Sequence, residues 1–380
     1  MKKVEHMLHD IRPFLLAGVI GTVSGAAAAK PVWPDYDGDG LEGYGQINQA
    51  YLQYDDGTES RGFLTVDNAT EDNGSFLGVL KGGAFANGVL WTGRFEISIA
   101  VRPSNEVSLQ APAGPSYQLD AEDIRYADTR FVTESKGTIY FGQGDMSANL
   151  DAPDYSGTAV IQGPNVSQIA GDMLLRYLGG ALSDRTLSDA IGTFDSGRRF
   201  RLRYDSPEFF NGFAVSTSIG REVLVSDDDS TYFDLSGSYT HSNAIWDYSV
   251  VADVTGIGDN EYAGKLAFGY LHKPTGLNLT FTGTHSTTDQ HYYYFKAGVI
   301  RDVFDFGATA IAVDWYNNGN WAAPGAEAET YGLSIVQNID RANTVVYAAI
   351  RSFDNYTNLD IPDENFEKGQ AIMAGLRWNF

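Results

Sequence analysis

The chain has no cysteine, few cations and, beyond its N-terminal stretch, no apolar run approaching the roughly 18 uncharged residues a membrane helix needs. Each absence excludes something. Without cysteine an exported protein cannot be a disulfide scaffold, so backbone pairing and burial must hold it together. Lys and Arg number 26 against 49 Asp and Glu, a formal net charge of −23. Nucleic acid is therefore not an expected partner, because neutralising phosphates takes a cationic surface. Histidine is scarce too: past the N-terminal stretch only His241, His272, His285 and His291 occur, none in a nucleophile motif of the kind hydrolases use. His285 and His291 could join a metal site, but two loop histidines this close in sequence read first as solvated.

What is present begins with a leader. Lys2, Lys3 and Arg12 precede an apolar run over 14–23, and Ala26, Ala27, Ala28 and Ala29 offer a small-residue cut before Lys30, so 1–29 reads as a signal peptide. An exported chain without membrane helices is either soluble or a β-barrel. Residues 30–40 form an acidic linker in which Asp35, Asp37, Asp39 and Gly40 match the opening of a calcium-binding loop. Position twelve is Gln46 rather than a bidentate Glu, and a strand rather than a helix follows. A structural Ca²⁺ is the one cofactor this pattern suggests; no other is expected. The general excess of acid reads as loop solubility, with cation attraction at a pore mouth as the functional counterpart.

From Leu41 to the end the chain repeats one unit: about ten alternating residues, a tight turn, a returning run and a longer polar loop. In the last run Ile372, Ala374, Leu376, Trp378 and Phe380 share one face, while Met373, Gly375, Arg377 and Asn379 share the other. Short turns are expected near 82–88, 134–137, 205–212, 241–244, 273–276, 301–305 and 339–343, and longer loops over 226–230, 255–261, 316–328 and 354–367. This rhythm gives an all-β fold, a transmembrane antiparallel β-barrel of about 16 strands (14 to 18) spanning 41–380 as a single domain. Aromatics at strand ends, such as Tyr292, Tyr293, Tyr294, Phe295, Trp315, Tyr316 and Trp378, suit interfacial girdles. Small residues such as Ala308, Ala310 and Ala312 on apolar faces argue against a soluble sandwich core.

One connection breaks the rhythm. The stretch 145–197 is far longer than the rest, and its apolar residues, among them Ile169, Met173, Leu175 and Ile191, predict that it packs against something. In the run that follows, Arg199, Arg201 and Arg203 share a face opposite Phe200, Leu202 and Tyr204. Three stacked guanidiniums cannot face lipid, where each costs about 2–4 kcal/mol near the midplane, so they line a lumen. Arg94, Glu96 and Arg102 make a similar set opposite Phe95, Ile97, Ile99 and Val101.

With these residues in view the chain resembles the general diffusion porins of Gram-negative outer membranes. The resemblance rests on Lys136-Gly137-Thr138-Ile139-Tyr140-Phe141-Gly142-Gln143-Gly144-Asp145 before the long connection. It rests also on the arginine run followed by Asp205-Ser206-Pro207 and Asn211-Gly212-Phe213, and on a final strand ending at Phe380. The resemblance implies an integral outer-membrane protein among lipid, a homotrimer, and passage of small hydrophilic solutes and ions. It further implies that 145–197 is a third extracellular loop folded into the barrel. Asp145, Asp151, Asp154 and Asp172 would then face Arg199, Arg201 and Arg203, or Arg94 and Arg102, across the constriction, and Phe380 would act as an assembly signal. Two departures bear on selectivity: Gln143 stands where many relatives carry Arg, and the loop is longer than usual. The acid excess leads us to expect weak cation preference. A barrel enzyme of the lipase or protease type, or a substrate-specific channel, are the alternatives.

Overall fold

The computed structural model describes residues 40–66, 74–99, 101–113, 119–148, 153–194, 196–225, 230–258, 261–358 and 365–380. The leader, Asp35, Asp37 and Asp39, and Asp151 lie outside the described residues. The strands are β1 (Leu41–Asp55), β2 (Ser60–Thr65), β3 (Phe76–Ala84), β4 (Leu90–Ser98), β5 (Ile124–Thr133), β6 (Gly137–Asp145), β7 (Leu174–Arg176), β8 (Leu182–Thr186), β9 (Arg198–Asp205) and β10 (Phe213–Arg221). They continue as β11 (Thr231–Ser242), β12 (Trp246–Ile257), β13 (Glu261–His272), β14 (Leu277–Ser286), β15 (His291–Phe304), β16 (Gly307–Gly319), β17 (Ala326–Ile339), β18 (Thr344–Asn358) and β19 (Gly369–Asn379).

All but β7 and β8 belong to one antiparallel sheet of 17 segments. Two of these are halves of one strand: β2 pairs with the C-terminal half of β1 and β3 with its N-terminal half. The result is a barrel of 16 strands. It closes where β19 pairs with β1, from Gln46 opposite Asn379 to Asp55 opposite Gln370. Gly45 and Phe380 then exchange backbone hydrogen bonds, each N–H donating to the other's carbonyl at 3.0 Å. Closure leaves no free edge, which is how strands satisfy their backbone in lipid.

The polarity of the wall is inverted relative to a soluble protein. Along β9, Phe200 and Leu202 are 43% and 52% exposed, whereas Arg201 and Arg203 are at 1% and 0%. The same alternation places Ile372, Leu376, Trp378 and Phe380 outward on β19 and buries Met373. Because successive side chains point to opposite faces, the apolar set forms a continuous outer belt and the polar set lines the inside. No helix among the described residues is long and apolar enough to cross a membrane.

Two sequence readings need correction. Tyr292, Tyr294 and Tyr316 are not girdle residues: they point inward and are buried, while Tyr293 and Phe295 face out. Ala310 and Ala312 also face inward, and the outer positions between and beyond them are Ile311 and Val313. The inner wall of β15 and β16 is apolar because a loop packs on it. Several strands also run farther than their polar sequence suggested; β16 extends through Asn317 and Asn318, which pair with Glu329 and Ala328.

Candidate constriction and its charge network

The described parts of the connection between β6 and β9, residues 146–148, 153–194 and 196–197, lie inside the barrel. Its base is tied shut by Asp234 on β11, whose Oδ2 accepts the Ala148 N–H at 2.9 Å and the Ser196 hydroxyl at 2.8 Å. From there it crosses to the opposite wall. Lys265 on β13 donates to the Ala148 carbonyl at 2.8 Å, and Lys296 on β15 donates to the Gln162 carbonyl at 2.9 Å while pairing with Asp154 at 2.5 Å. Gln162 in turn accepts from Ser334 on β17 at 2.6 Å. Gly269 on β13 makes room for the crossing, since a Cβ there would sit 2.0 Å from the Pro153 carbonyl oxygen.

Burial holds the segment once it has crossed. Val160, Ile161, Val166, Ile169, Met173 and Leu175 form one apolar cluster with the inward residues of β1 and β15–β19, including Leu52, Tyr294, Tyr316, Val336, Tyr347 and Met373. The short helix Leu187–Ala190 reaches β16, where Asn318 donates to the Ala190 carbonyl at 2.9 Å. The hairpin β7–β8 rises to the rim. There Arg176 pairs with Asp56 beyond β1 at 2.7 Å, and Tyr177 stacks on Phe366 at 5.0 Å.

A second inserted segment was not foreseen. Residues 101–113, between β4 and β5, enter the same lumen: the Asn105 carbonyl accepts the Asp172 N–H at 2.8 Å, and the Ser104 hydroxyl donates to the Gln168 carbonyl at 2.9 Å. Val107 and Leu109 are buried in the apolar cluster of the longer loop. At this seam burial pushes the Glu106 carboxyl upward, helped by the charge of Asp172 and then Asp123. The Asp172 carboxyl is raised by burial and then by Asp189.

The arginines form a compact network whose partners lie on the barrel wall. Arg94 on β4 binds Asp128 on β5 through two hydrogen bonds of 3.1 and 3.2 Å, and Arg201 reaches the same carboxylate at 2.8 Å. Arg203 grips Asp205 with bonds of 2.8 and 3.0 Å, and Arg199 pairs with Glu222 at 3.1 Å. Arg201 and Arg203 also donate to the carbonyls of Asp145 and Met146 at 2.9 Å each, so they bind loop backbone rather than loop carboxylates.

The expected facing of loop acids and arginines is thus largely replaced. Of the described loop acids only Asp145 lies among the guanidiniums, paired with Arg198 at 3.2 Å and accepting from the Tyr126 hydroxyl at 2.8 Å. Asp154 is paired with Lys296, and Asp172 sits at the seam with 101–113. Arg102 is not on the wall at all: β4 ends at Ser98, and Arg102 donates within its own connection to the Pro112 carbonyl. The alternation it seemed to continue ends where the chain turns inward. The wall acids Asp128, Asp205, Glu222 and Asp234 were missed, though Tyr126-Ala127-Asp128-Thr129-Arg130 carried the same alternation as the arginine run.

No family model matches the chain, and no curated protein matches it. Its fold is nevertheless shared with solved structures. The anion-selective porin from Comamonas acidovorans is 14% identical over 90% of this chain and 99% of that one, with a TM-score of 0.54. OmpF of Salmonella typhi, in complex with daunomycin, is 14% identical over 90% of this chain and 97% of that one, at 0.56. A trimer form of in-vitro folded OmpT, an outer-membrane protein of Vibrio cholerae, is 13% identical over 90% and 99%, at 0.53. At these identities the likeness establishes a common barrel fold.

Proposed function

We propose that the chain is an outer-membrane channel through which small hydrophilic solutes and ions diffuse. The observation that carries this reading is the inverted barrel: an apolar outer belt surrounds an interior whose wall carries charges and hydroxyls, and two inserted segments pack through an apolar cluster against one side of it, on β1 and β15–β19. Residues 1–29 would direct export, the long-loop end would face outward, and the barrels would associate as trimers, as the Vibrio cholerae protein does in its trimer form. In this reading Arg94, Arg199, Arg201 and Arg203, with Asp145, border the permeation path, but their charge is largely cancelled by Asp128, Asp205 and Glu222. Asp234, by contrast, is held by N–H and O–H donors. The balance favours weak cation preference.

An enzyme finds little support. His241 contacts Asn243 and His272 contacts Thr275, both at short turns, and neither is joined to a serine and an acid in a relay. The test is planar-bilayer recording with purified, folded protein. Stepwise, largely ohmic conductance supports the channel, and membranes that stay silent at high protein load sink it.

A further inference from the structure

We propose that Arg176 is a positioning residue for the long inserted loop: through the β7–β8 hairpin it straps the outer end of the loop to the barrel rim, and without it that end leaves the wall. Its guanidinium joins the hairpin to the rim. Nε and Nη2 bind Asp56 Oδ2 at 2.8 and 2.7 Å, while Nη1 donates to the Gly180 carbonyl in the hairpin's own turn at 2.7 Å. Asp56 is itself fixed, because its Oδ1 accepts the Thr58 and Glu59 N–H groups at 3.0 and 2.7 Å in the turn between β1 and β2. A planar fork bonded on two sides sets orientation as well as distance.

The backbone beside Arg176 is joined to the connection before β19. The Leu178 N–H donates to the Asn365 carbonyl at 3.0 Å and the Glu367 N–H to the Arg176 carbonyl at 2.6 Å. These bonds set Tyr177 opposite Phe366 in an antiparallel bridge, with the two rings stacked at 5.0 Å. On the returning leg Arg185 donates to the Ala322 carbonyl, beyond β16, at 3.1 Å. The hairpin is thus fastened to three separate connections of the long-loop end.

Burial contributes little at the hairpin tip. Leu178 and Leu182 are 61% and 40% exposed. Beside the hairpin a cavity of about 20 Å³, room for one water, is lined by Leu174, Leu187 and Ile191 of the loop and by Tyr54 and Phe353 of the wall. The strap nevertheless acts directly on buried residues. Arg176 follows Met173 and Leu175 of the apolar cluster, and the Leu187 N–H returns to the Met173 carbonyl at 3.0 Å, closing 173–187 into one unit. Releasing the tip of that unit loosens the cluster from its outer end.

Hydrogen exchange tests the strap without reference to conduction, whereas single-channel recording of its effect rests on the channel reading. In folded, leader-free Arg176→Gln, amides of 174–187 should exchange about tenfold faster than in the parent. Mean conductance should rise and traces should become noisier. Because the chain has no cysteine, adding Tyr177→Cys and Phe366→Cys to this variant allows one disulfide only. The flanking backbone bonds make these positions a non-hydrogen-bonded pair, whose Cα atoms lie about 4.5 Å apart, within reach of the bridge. The oxidised triple variant should recover the parent's exchange and traces, and reduction should undo the recovery. Lys368→Gln, which removes a rim cation that is 68% exposed, should behave like the parent. Heat-modifiable migration checks that each variant folds. Arg176→Gln exchanging like the parent, or a disulfide that forms without slowing exchange, overturns the proposal. Silent bilayers for every protein, with exchange as expected, would sink the channel reading and leave the strap standing.

Discussion

Asp154, in the long inserted loop, is paired with Lys296 on β15 at 2.5 Å, on the far side of the lumen from the arginine network. The loop is therefore pinned by its acid rather than opposing the arginines with it. Lys296→Met removes this pair and the bond to the Gln162 carbonyl, leaving the Asp154 carboxylate with only the neutral donors Ser156 N–H and the Thr280 hydroxyl. Breaking a buried pair costs about 3–5 kcal/mol, enough to undock a loop segment. Single-channel traces of the variant should be noisier and of higher mean conductance. Traces indistinguishable from the parent would show that this contact does not hold the loop.

Asp128 compensates two guanidiniums at once, those of Arg94 and Arg201. Asp128→Asn keeps the shape but leaves both cations without their shared anion. Zero-current potentials in a salt gradient should move toward anion preference, while conductance changes less than twofold. A shift toward cations, or none, would mean that the network lies away from the permeation path.

The seam between 101–113 and the long loop should tighten in acid. The Glu106 and Asp172 carboxyls are held above their ordinary values in the docked state, so docking favours the protonated forms. An acid with a raised value in the docked state weakens docking as pH rises through its ordinary value and up to the raised one; below that window the penalty disappears. Conductance should accordingly fall as pH is lowered from neutral through about 4. In the double variant Glu106→Gln, Asp172→Asn that fall should shrink. An identical pH profile in the double variant would place the sensitivity elsewhere.

Phe380 lies on the outer face at 47% exposure, while its backbone closes the ladder with Gly45. Deleting it removes both an interfacial aromatic and the last closing hydrogen bonds. The fraction of heat-modifiable barrel in outer membranes should drop several-fold, and Phe380→Ala, which keeps the backbone, should fall between. Equal yields for all three proteins would argue against a role in assembly.

The barrel was legible in the sequence because alternation is a local signal repeated in every strand. Phe200, Leu202 and Tyr204 against Arg199, Arg201 and Arg203 declare which side is wet without reference to any other part of the chain. The lumen was harder to read. Tyr292, Tyr294, Ala310 and Ala312 look like lipid-facing positions until the loop that covers them is known, and nothing in their own strands announces it. Ion pairs across strands depend on register, so Arg201 could not be assigned to Asp128 from spacing alone. Segment 101–113 escaped notice because Arg102 seemed to extend an alternating run that in fact ends at Ser98.

Among the described residues β2 and β3 hold the first strand in two separate stretches. Toward β19 its ladder is unbroken from Gln46 to Asp55, and toward its own successor the pairing among the described residues covers Leu41–Gln46 and Ala50–Asp55. At the gap a side chain stands in for backbone: the Asn48 N–H donates to the Ser75 hydroxyl at 2.9 Å. Among the described residues the first strand is thus fastened more continuously to the last strand than to the one that follows it. Amide protons near the gap should exchange sooner than those along the β1–β19 closure, so the place where the cylinder first breathes lies beside its seam rather than at it.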